Sequence, residues 1–486
     1  MGNLIAGVDC STQSTKIVVI DADSGEVLRV GRAPHVVTGT AGARETRPHD
    51  WWEALRQALA RTGLAGQIAA ISVAGQQHGL VCLDAGGRPL RPAMLWHDTR
   101  SAPDAVALRD ALGGAAAWAS RVGVVPVASF TATKWAWVRR HEPEIALRTA
   151  AIRLPHDYLT ERLCGAAVTD RGDASGTGWW STETEKYAPE VLGLPSINLS
   201  ADLLPSVLRP TESAGRVTQA AAEATGISAG VLVGPGTGDN MAAALGLGLS
   251  PGTPVVSLGT SGTAYTVSST RTVDASGDVA GFADASGRFL PLACTLNCTL
   301  AVDRIAKWLG LGRDDVVPSQ GVVALPYFDG ERTPNLPDAS AALLGLRGDT
   351  DPRAILMATY EGAIVGLLDA LDTIDRCSSG LDPAAPLTLV GGGASGETWR
   401  RVVQRLSGRA VAIPQATELV AIGAAVQAAA TLWAEDPREI AARWQTARGG
   451  LMEPVPPDVE TLERHRTTRQ LALEAIARSP SGRSRP

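Results

Sequence analysis

The sequence predicts an α/β fold made of two related domains, because one strand–turn–strand unit occurs twice in it. Residues 4–9 and 17–21 are apolar, strand-like runs on either side of a small polar turn, and residues 255–267 repeat this arrangement. Helical and strand-like stretches alternate after each unit, as they do in α/β proteins. A chain of 486 residues is also too long for a single ordinary core.

The first unit continues into further regular elements. A turn at residues 23–25 and the run 26–30 complete a three-stranded antiparallel meander. Asp50 followed by Glu53 has the form of a capping box, which predicts that a helix begins at Asp50. The uninterrupted apolar run 68–74 then predicts a buried strand.

The second half contains a similar series of elements. A strand-like run at 231–236 leads through a glycine-rich turn to Asp239 and a helix of small residues. Asp351 and Pro352 open a long helix that Gly380 closes. Residues 387–390 form a strand, 391–396 a glycine turn and 397–406 a helix.

Composition excludes several classes of protein. The hydrophobic fraction of 45% excludes a disordered chain, and the net charge of −6 gives no basic excess for binding nucleic acid. Apolar runs are interrupted before about 18 residues, so no membrane span is predicted, and the absence of a cationic leader indicates a cytoplasmic location. Cys294 and Cys298 are the only close cysteine pair; they are interpreted as small buried residues at a helix start, not as zinc ligands.

The turns of the two hairpins indicate phosphate binding. Their Thr, Ser and Gly residues can present backbone N–H groups and hydroxyls to an anion. Asp9 at the entrance of the first turn would repel a phosphate unless a divalent cation lay between them, and Mg²⁺ commonly takes one or two carboxylates. Each turn alone could be an ordinary β-turn, but the pair, with a third glycine turn at 391–393, favours a nucleotide site. No Walker motif or convincing dinucleotide fingerprint is present.

Asp239 is the candidate general base. It follows the glycine-rich turn 234–238 and precedes a helix, where the helix dipole favours an ionised carboxylate. It could equally be a helix cap, although the preceding glycines leave space that suits a substrate. Gln77 and His78 follow the strand 68–74 at the end where α/β proteins bind ligands.

Several motifs together resemble the FGGY carbohydrate kinases, of the actin, hexokinase and heat-shock ATPase superfamily. Residues 7–16 (GVDCSTQSTK) are similar to the first phosphate motif of that family, with Ser11 in place of the usual glycine; 257–262 (SLGTSG) resemble the second, and 389–394 (LVGGGA) the adenosine motif. Residues 129–138 and 325–334 resemble family signatures. The resemblance implies two ribonuclease-H-like domains flanking a central cleft, at 1–244 and 245–470, and a disordered tail at 471–486.

The resemblance also implies roles for individual residues. Asp239 would be the catalytic base, and the sugar would contact Gln77, His78, Asp239 and Asn240; Gln77 stands where members acting on xylulose have Met. Asp9 would lie near Mg²⁺. The residues that would bind ATP come from all three motifs: Asp9, Thr12, Gln13, Ser14, Gly259, Thr260, Ser261, Gly392 and Gly393.

The activity that the resemblance implies is phosphorylation of a small-molecule sugar by ATP and Mg²⁺. D-xylulose, giving D-xylulose 5-phosphate, is the expected substrate. Ribulose, gluconate or glycerol are alternatives, and an ATP-driven binding or filament module is an alternative from another class. A homodimer would be usual for such a protein.

Overall fold

The computed structural model describes residues 3–477 and confirms the α/β class. The N-terminal half contains the strands β1 (Leu4–Cys10), β2 (Ser14–Asp21), β3 (Val27–Pro34), β4 (Glu45–Thr46), β5 (Ile68–Gly75), β6 (Val81–Leu83), β7 (Ala93–Met94), β8 (Ala151–Arg153), β9 (Val168–Asp170), β10 (Trp180–Ser181), β11 (Lys186–Tyr187), β12 (Ser206–Leu208), β13 (Gly215–Arg216), β14 (Leu232–Val233) and β15 (Thr237–Gly238). Its helices are α1 (Pro48–Thr62), α2 (Ala102–Ala111), α3 (Ala115–Val122), α4 (Thr131–His141), α5 (Pro143–Arg148), α6 (Pro155–Cys164), α7 (Arg171–Ser175), α8 (Pro189–Leu192), α9 (Gln219–Thr225) and α10 (Asp239–Gly246).

The C-terminal half begins with the second hairpin. Its strands are β16 (Val255–Leu258), β17 (Gly262–Tyr265), β18 (Ala280–Ala283), β19 (Phe289–Thr295), β20 (Val323–Leu325), β21 (Ala342–Leu344), β22 (Leu387–Val390), β23 (Val411–Pro414) and β24 (Gly449–Met452). Its helices are α11 (Thr299–Leu309), α12 (Pro352–Cys377), α13 (Glu397–Ser407), α14 (Leu419–Trp433), α15 (Pro437–Trp444) and α16 (Val459–Ala477).

The two hairpins occupy equivalent places in two seven-stranded sheets. In the first sheet β1 pairs antiparallel with β2 and parallel with β5; in the second β16 pairs antiparallel with β17 and parallel with β22. Each hairpin therefore has its first strand near the centre of a sheet, next to a parallel strand whose carboxyl end lies at the same edge. This shared topology is what the repeated sequence unit predicts.

Two local predictions were wrong in detail. The first long helix begins at Pro48, whose fixed φ suits the first helical position, and Asp50 instead accepts a 3.1 Å hydrogen bond from the Arg47 guanidinium. Cys294 lies in strand β19, and only Cys298 stands at the start of a helix.

The predicted disordered tail begins too early. Residues 471–477 belong to α16, because Ala472 and Leu473 pack against an apolar cluster that includes Val323 and Tyr327. The rest of the tail lies outside the described residues.

Among residues 3–477 one helix is long and apolar enough to cross a membrane by length and composition, although Glu361 and Asp369 interrupt its apolar run as the sequence predicts. This helix is α12, and most of its apolar stretch is buried inside the molecule. It packs against the second sheet and α11, so its apolar surface serves the core of the C-terminal half.

The two halves meet through helices α10 and α14. The pair approaches so closely that a Cβ at Gly423 would overlap the carbonyl oxygen of Ala242, and one at Gly246 would overlap that of Leu419. The fully buried Gln427 of α14 donates a 2.8 Å hydrogen bond to the carbonyl of Gly236 and accepts a 2.6 Å bond from the Ser72 hydroxyl. Helix α14 is thus fixed to the first sheet, next to the turn that leads to Asp239.

The close helix crossing makes a stability prediction. Gly423→Ala should destabilise the protein by about 3 kcal/mol, since the added methyl group must push two backbones apart. The matched control is Gly366→Ala in α12, where a Cβ would meet no atom within 4 Å and where the change should be neutral or stabilising by up to about 1 kcal/mol. Thermal unfolding midpoints of both variants and the unsubstituted protein check the prediction; equal midpoints for the two variants would contradict it.

Candidate active site

Three strand ends bring the predicted chemical groups of the N-terminal half together. Strand β5 lies parallel to both β1 and β15, with Asp9 opposite Ala74 and Gly238 opposite Gly75. The residues that follow these strands therefore emerge at one edge of the sheet, where α/β proteins bind ligands. This edge carries Asp9, Gln77 and Asp239.

Asp239 is the first residue of α10, as predicted, and is held by its neighbours. Its Oδ1 accepts hydrogen bonds from the Asn240 backbone N–H at 2.8 Å and from the Asn240 side-chain amide at 3.0 Å. The same Asn240 amide donates to Gln77 Oε1 at 2.8 Å. The structure thus joins three of the four predicted sugar-binding residues in one hydrogen-bonded group.

The electrostatic surroundings of Asp239 suit a base that works near neutral pH. Burial, aided by the negative charge of Asp9, raises the pKa of Asp239 to about 7, while the hydrogen bonds from Asn240 oppose the rise. Burial, with a smaller effect from the charge of Asp239, raises the pKa of Tyr265 in β17 and that of Cys294 in β19. Met241 and Leu245 of α10 line a small cavity together with Val267 and Asp284 of the C-terminal half, so Asp239, at the start of α10, lies in the crevice where the two halves meet.

Asp9 is a buried carboxylate with few protein partners. Only 3% of its surface is exposed, Ser11 Oγ donates to it at 2.5 Å, and Lys16 Nζ lies 3.7 Å away while pairing more closely with Glu418. Burial raises the pKa of Asp9 against the opposing effects of Ser11 and Lys16. Because residues 3–477 contain no group of three or more His, Cys, Asp or Glu side chains arranged to hold a metal ion, a metal here would take most of its ligands from phosphate and water. A lone carboxylate fits Mg²⁺ used in that way.

The first turn presents free backbone donors. Ser11 N–H donates to the Ser14 carbonyl at 3.1 Å, and His35 N–H to the Gln13 carbonyl at 3.0 Å. Thr12 is positioned through its hydroxyl, which accepts a 3.1 Å bond from the Trp96 indole. The N–H groups of Thr12 and Gln13 bond to no acceptor in the described part of the chain. Such a turn can bind an anion.

The second turn and the glycine turn meet in the C-terminal sheet. Parallel pairing of β16 with β22 sets Ser257 opposite Val390, so Gly259 and residues 391–393 follow adjacent strand ends. Side chains at Gly391 or Gly393 would collide with Leu258, whereas Gly392 faces open space. Within residues 3–477 the N–H groups of Thr260 and Ser261 also lack acceptors. The predicted ATP-binding residues of this half therefore form one surface with the glycines.

His78 is fixed in a strained backbone conformation beside Gln77. Its φ is +65°, its Nδ1 lies 2.7 Å from the Gly176 carbonyl, and its ring packs against Phe130 and Phe282 at centroid distances of 4.8 and 5.6 Å, in a cluster of three rings. Since a carbonyl only accepts, Nδ1 carries the proton and Nε2 is an acceptor. Burial, with the charges of Lys134 and Arg332, lowers the pKa of His78, so the ring is neutral and can accept a hydroxyl hydrogen.

Sequence reasoning missed a buried polar cluster beneath Asp239. His156 Nε2 lies 3.2 Å from Asp157 and 3.3 Å from Asp173, and Asp170 accepts a 2.7 Å bond from Thr237, two residues before Asp239. Burial raises the pKa of Asp157 to about 7 and lowers that of His156 to about 4. The cluster supports the strand that leads to Asp239. The sequence did contain a signal for this cluster, namely one histidine and three aspartates within residues 156–173.

Comparison with known proteins agrees with this geometry. The model of the N-terminal domain of the FGGY family of carbohydrate kinases matches residues 4–246, and that of the C-terminal domain matches residues 255–432. The chain belongs to the FGGY family of carbohydrate kinases. Members of this family use ATP and typically a divalent metal. The resemblance seen in the sequence is thereby confirmed, as is the two-domain fold it implies.

Individual FGGY kinases are similar to the chain over almost its whole length. The xylulose kinases of Streptomyces rubiginosus and Streptomyces coelicolor are each 58% identical to it, over 95% of the chain and 95% of theirs. The crystal structure of xylulose kinase from Bifidobacterium adolescentis is 36% identical and superposes with a TM-score of 0.84, over 96% of this chain and 99% of that one.

The raised pKa of Asp239 predicts the pH profile of this FGGY kinase. If Asp239 is the base, it must be ionised, so kcat/KM for the sugar should fall about tenfold per pH unit below about pH 7. An ordinary aspartate would place this decline about three units lower. The profile is recorded with the metal–ATP complex held at constant concentration; a flat profile between about pH 5 and pH 7 would contradict the assignment.

Proposed function

We propose that the protein transfers the γ-phosphoryl group of ATP to D-xylulose, with Asp239 as the general base. The observation that carries the chemistry is the position of Asp239, which faces both halves and is hydrogen-bonded into the group that contains Gln77. The 58% identity to two xylulose kinases supports the choice of sugar. The position of Asp239 supports deprotonation of an acceptor hydroxyl, and the similarity to xylulose kinases supports a ketose as the molecule that carries it.

In this mechanism the residues of the N-terminal half bind and deprotonate the sugar. His78 Nε2 accepts a hydrogen bond from one sugar hydroxyl, and Asn240 fixes the Asp239 carboxylate. Asp239 accepts the proton of the terminal hydroxyl as that oxygen attacks the γ-phosphorus and the bond to the ADP oxygen breaks. Phosphoryl transfer needs positioning and charge stabilisation more than covalent help from the protein.

The two hairpin turns and the glycine turn hold the nucleotide. N–H groups of Thr12 and Gln13 bind phosphate oxygens from one half, and those of Thr260 and Ser261 from the other; Gly392 and Gly393 leave room for the adenosine. Mg²⁺, associated with Asp9, would neutralise the charge that develops on the phosphate oxygens. Because the turns belong to different halves, bringing the halves together would complete the site and exclude water.

A related sugar or polyol is the second candidate substrate. The Gln77 amide engages Asn240, and its Nε2 has no partner in the described chain, so it can donate to an additional sugar oxygen. Ribulose, gluconate and glycerol are the alternative substrates to be compared with D-xylulose. The cytoplasmic location and the homodimer stay predictions.

A substrate panel tests the proposed reaction. With ATP and Mg²⁺, ADP release should be faster by at least about tenfold in kcat/KM with D-xylulose than with D-ribulose, gluconate or glycerol. The assay without sugar gives the background rate of ATP hydrolysis. A preference for another acceptor would replace the substrate, and hydrolysis indifferent to every sugar would indicate an ATP-driven module instead of a sugar kinase.

Replacement of the base tests the mechanism. Asp239→Ala should lower kcat by about 10²–10⁴-fold, the usual contribution of general-base catalysis, and leave KM for ATP nearly unchanged. The control is Asp50→Ala, which removes another aspartate from the first turn of a helix, outside the crevice. Steady-state kinetics with D-xylulose give the result. Turnover within tenfold of the unsubstituted enzyme would remove Asp239 from the role.

A further inference from the structure

Arg332 is presented to the crevice on a firmly held loop of the C-terminal half. The loop follows β20, and its buried Glu331 accepts hydrogen bonds from the backbone N–H groups of Arg332 at 2.8 Å and Leu296 at 2.5 Å. Asn297 donates to the Gly330 carbonyl at 2.8 Å. These bonds fix the backbone at Arg332, so the direction of its side chain is set by the fold.

The Arg332 side chain crosses to the N-terminal half. Its Nη1 donates to the Ser129 hydroxyl at 3.4 Å, and its charge is felt by His78, whose ring contacts Phe130, the residue after Ser129. Phe282, also from the C-terminal half, packs against both rings, with its centroid 5.6 Å from that of His78 and 6.2 Å from that of Phe130. One wall of the predicted sugar pocket is therefore supplied by the half that does not carry Gln77 or Asp239.

The guanidinium of Arg332 has unusually few partners for its position. Other arginines with little exposure, such as Arg91, Arg153 and Arg171, each pair with a carboxylate at 2.5–2.7 Å. Arg332 is half-buried, yet no carboxylate in residues 3–477 lies within ion-pair distance of it: Asp278 is near enough to be influenced by its charge but forms no pair with it, and the one hydrogen bond from the Arg332 side chain is long. A guanidinium has five N–H donors, so most of those of Arg332 are available to a ligand.

A series of neighbouring residues connects Arg332 with Asp239, the residue proposed to deprotonate the sugar. Asp239 is bonded to Asn240, Asn240 to Gln77, and Gln77 precedes His78, beside which Arg332 lies. Asp239 and Arg332 are the two ends of this series. A linear ketose whose terminal hydroxyl met Asp239 could follow this series of residues with its carbonyl end on the side of His78.

We propose that Arg332 is a sugar-binding residue, which donates hydrogen bonds from the C-terminal half to the ketose oxygens remote from Asp239. The inference deepens the proposed function and rests on it, because it takes the acceptor to be an open-chain ketose. It makes sugar binding depend on both halves of the molecule.

Three variants and one binding measurement test this role. The dissociation constant of D-xylulose without ATP is measured by calorimetry, together with KM for both substrates. Arg332→Gln should weaken sugar binding about tenfold or more, the factor expected when a charged hydrogen bond is lost, and leave KM for ATP within about twofold. Arg332→Lys, which keeps the charge but not the planar donors, should recover only part of the affinity.

Ser129→Ala separates contact with the sugar from a contact between the halves. If Arg332 acts on the sugar, removing the Ser129 hydroxyl should change sugar affinity by less than about twofold. An equal loss in Ser129→Ala and Arg332→Gln would overturn the proposal in favour of a bridge between the halves. Arg353→Gln, at an exposed arginine paired with Asp351, is the control for loss of a positive charge and should match the unsubstituted protein.

The outcomes for the reaction and for Arg332 remain distinguishable. Failure of the unsubstituted protein to bind or phosphorylate D-xylulose would contradict the proposed function. Normal activity with an unchanged sugar affinity in Arg332→Gln would contradict the role of Arg332 alone. Thermal unfolding midpoints identify any variant whose loss reflects misfolding, in which case Arg332→Lys provides the deciding measurement.

Discussion

The parallel pairing of β5 with both β1 and β15 is the constraint on which the candidate site depends. It fixes three strand ends at one edge, and with them Asp9, Gln77 and Asp239. No contact between these side chains is needed to bring them together, because the sheet register already does so. The same principle operates in the second sheet, where β16 and β22 place the phosphate turn beside the glycine turn.

The site keeps two carboxylates close to each other in a poorly solvated crevice. Burial raises the pKa of both Asp9 and Asp239, and the negative charge of Asp9 adds to the rise at Asp239. Lys16, Ser11 and Asn240 offset only part of this cost. Burying two carboxylates near each other costs folding free energy. The same pair favours the binding of positive charge, and it suits a base that releases its proton near neutral pH.

Sequence reasoning located the features that depend on short stretches of chain. Both hairpins, the helix start at Asp239 and the glycine turn after β22 follow from local patterns of apolar, small and glycine residues. The start of α1 was misplaced because Asp50 and Glu53 imitate a cap two residues inside the helix. The end of α16 was missed because its apolar partners are more than a hundred residues away.

Contacts between distant residues that the family motifs do not bring together could not be predicted. The bond from Thr237 to Asp170 and that from Arg332 to Ser129 join positions 67 and 203 residues apart. No periodicity or spacing encodes such pairs, because they follow from the packing of whole domains. What the sequence does indicate is which residue types are costly to bury and so need a partner.

The double hydrogen bond of Gln427 has a mechanical consequence. It ties α14 to the base-bearing turn at Gly236, close to where α10 and α14 interlock through glycines. If one half of the protein rotates about this attachment, residues far from α10 and α14 move furthest and residues beside these helices move little. Asp239, on α10, would stay in place while the opposite phosphate turn travels toward it.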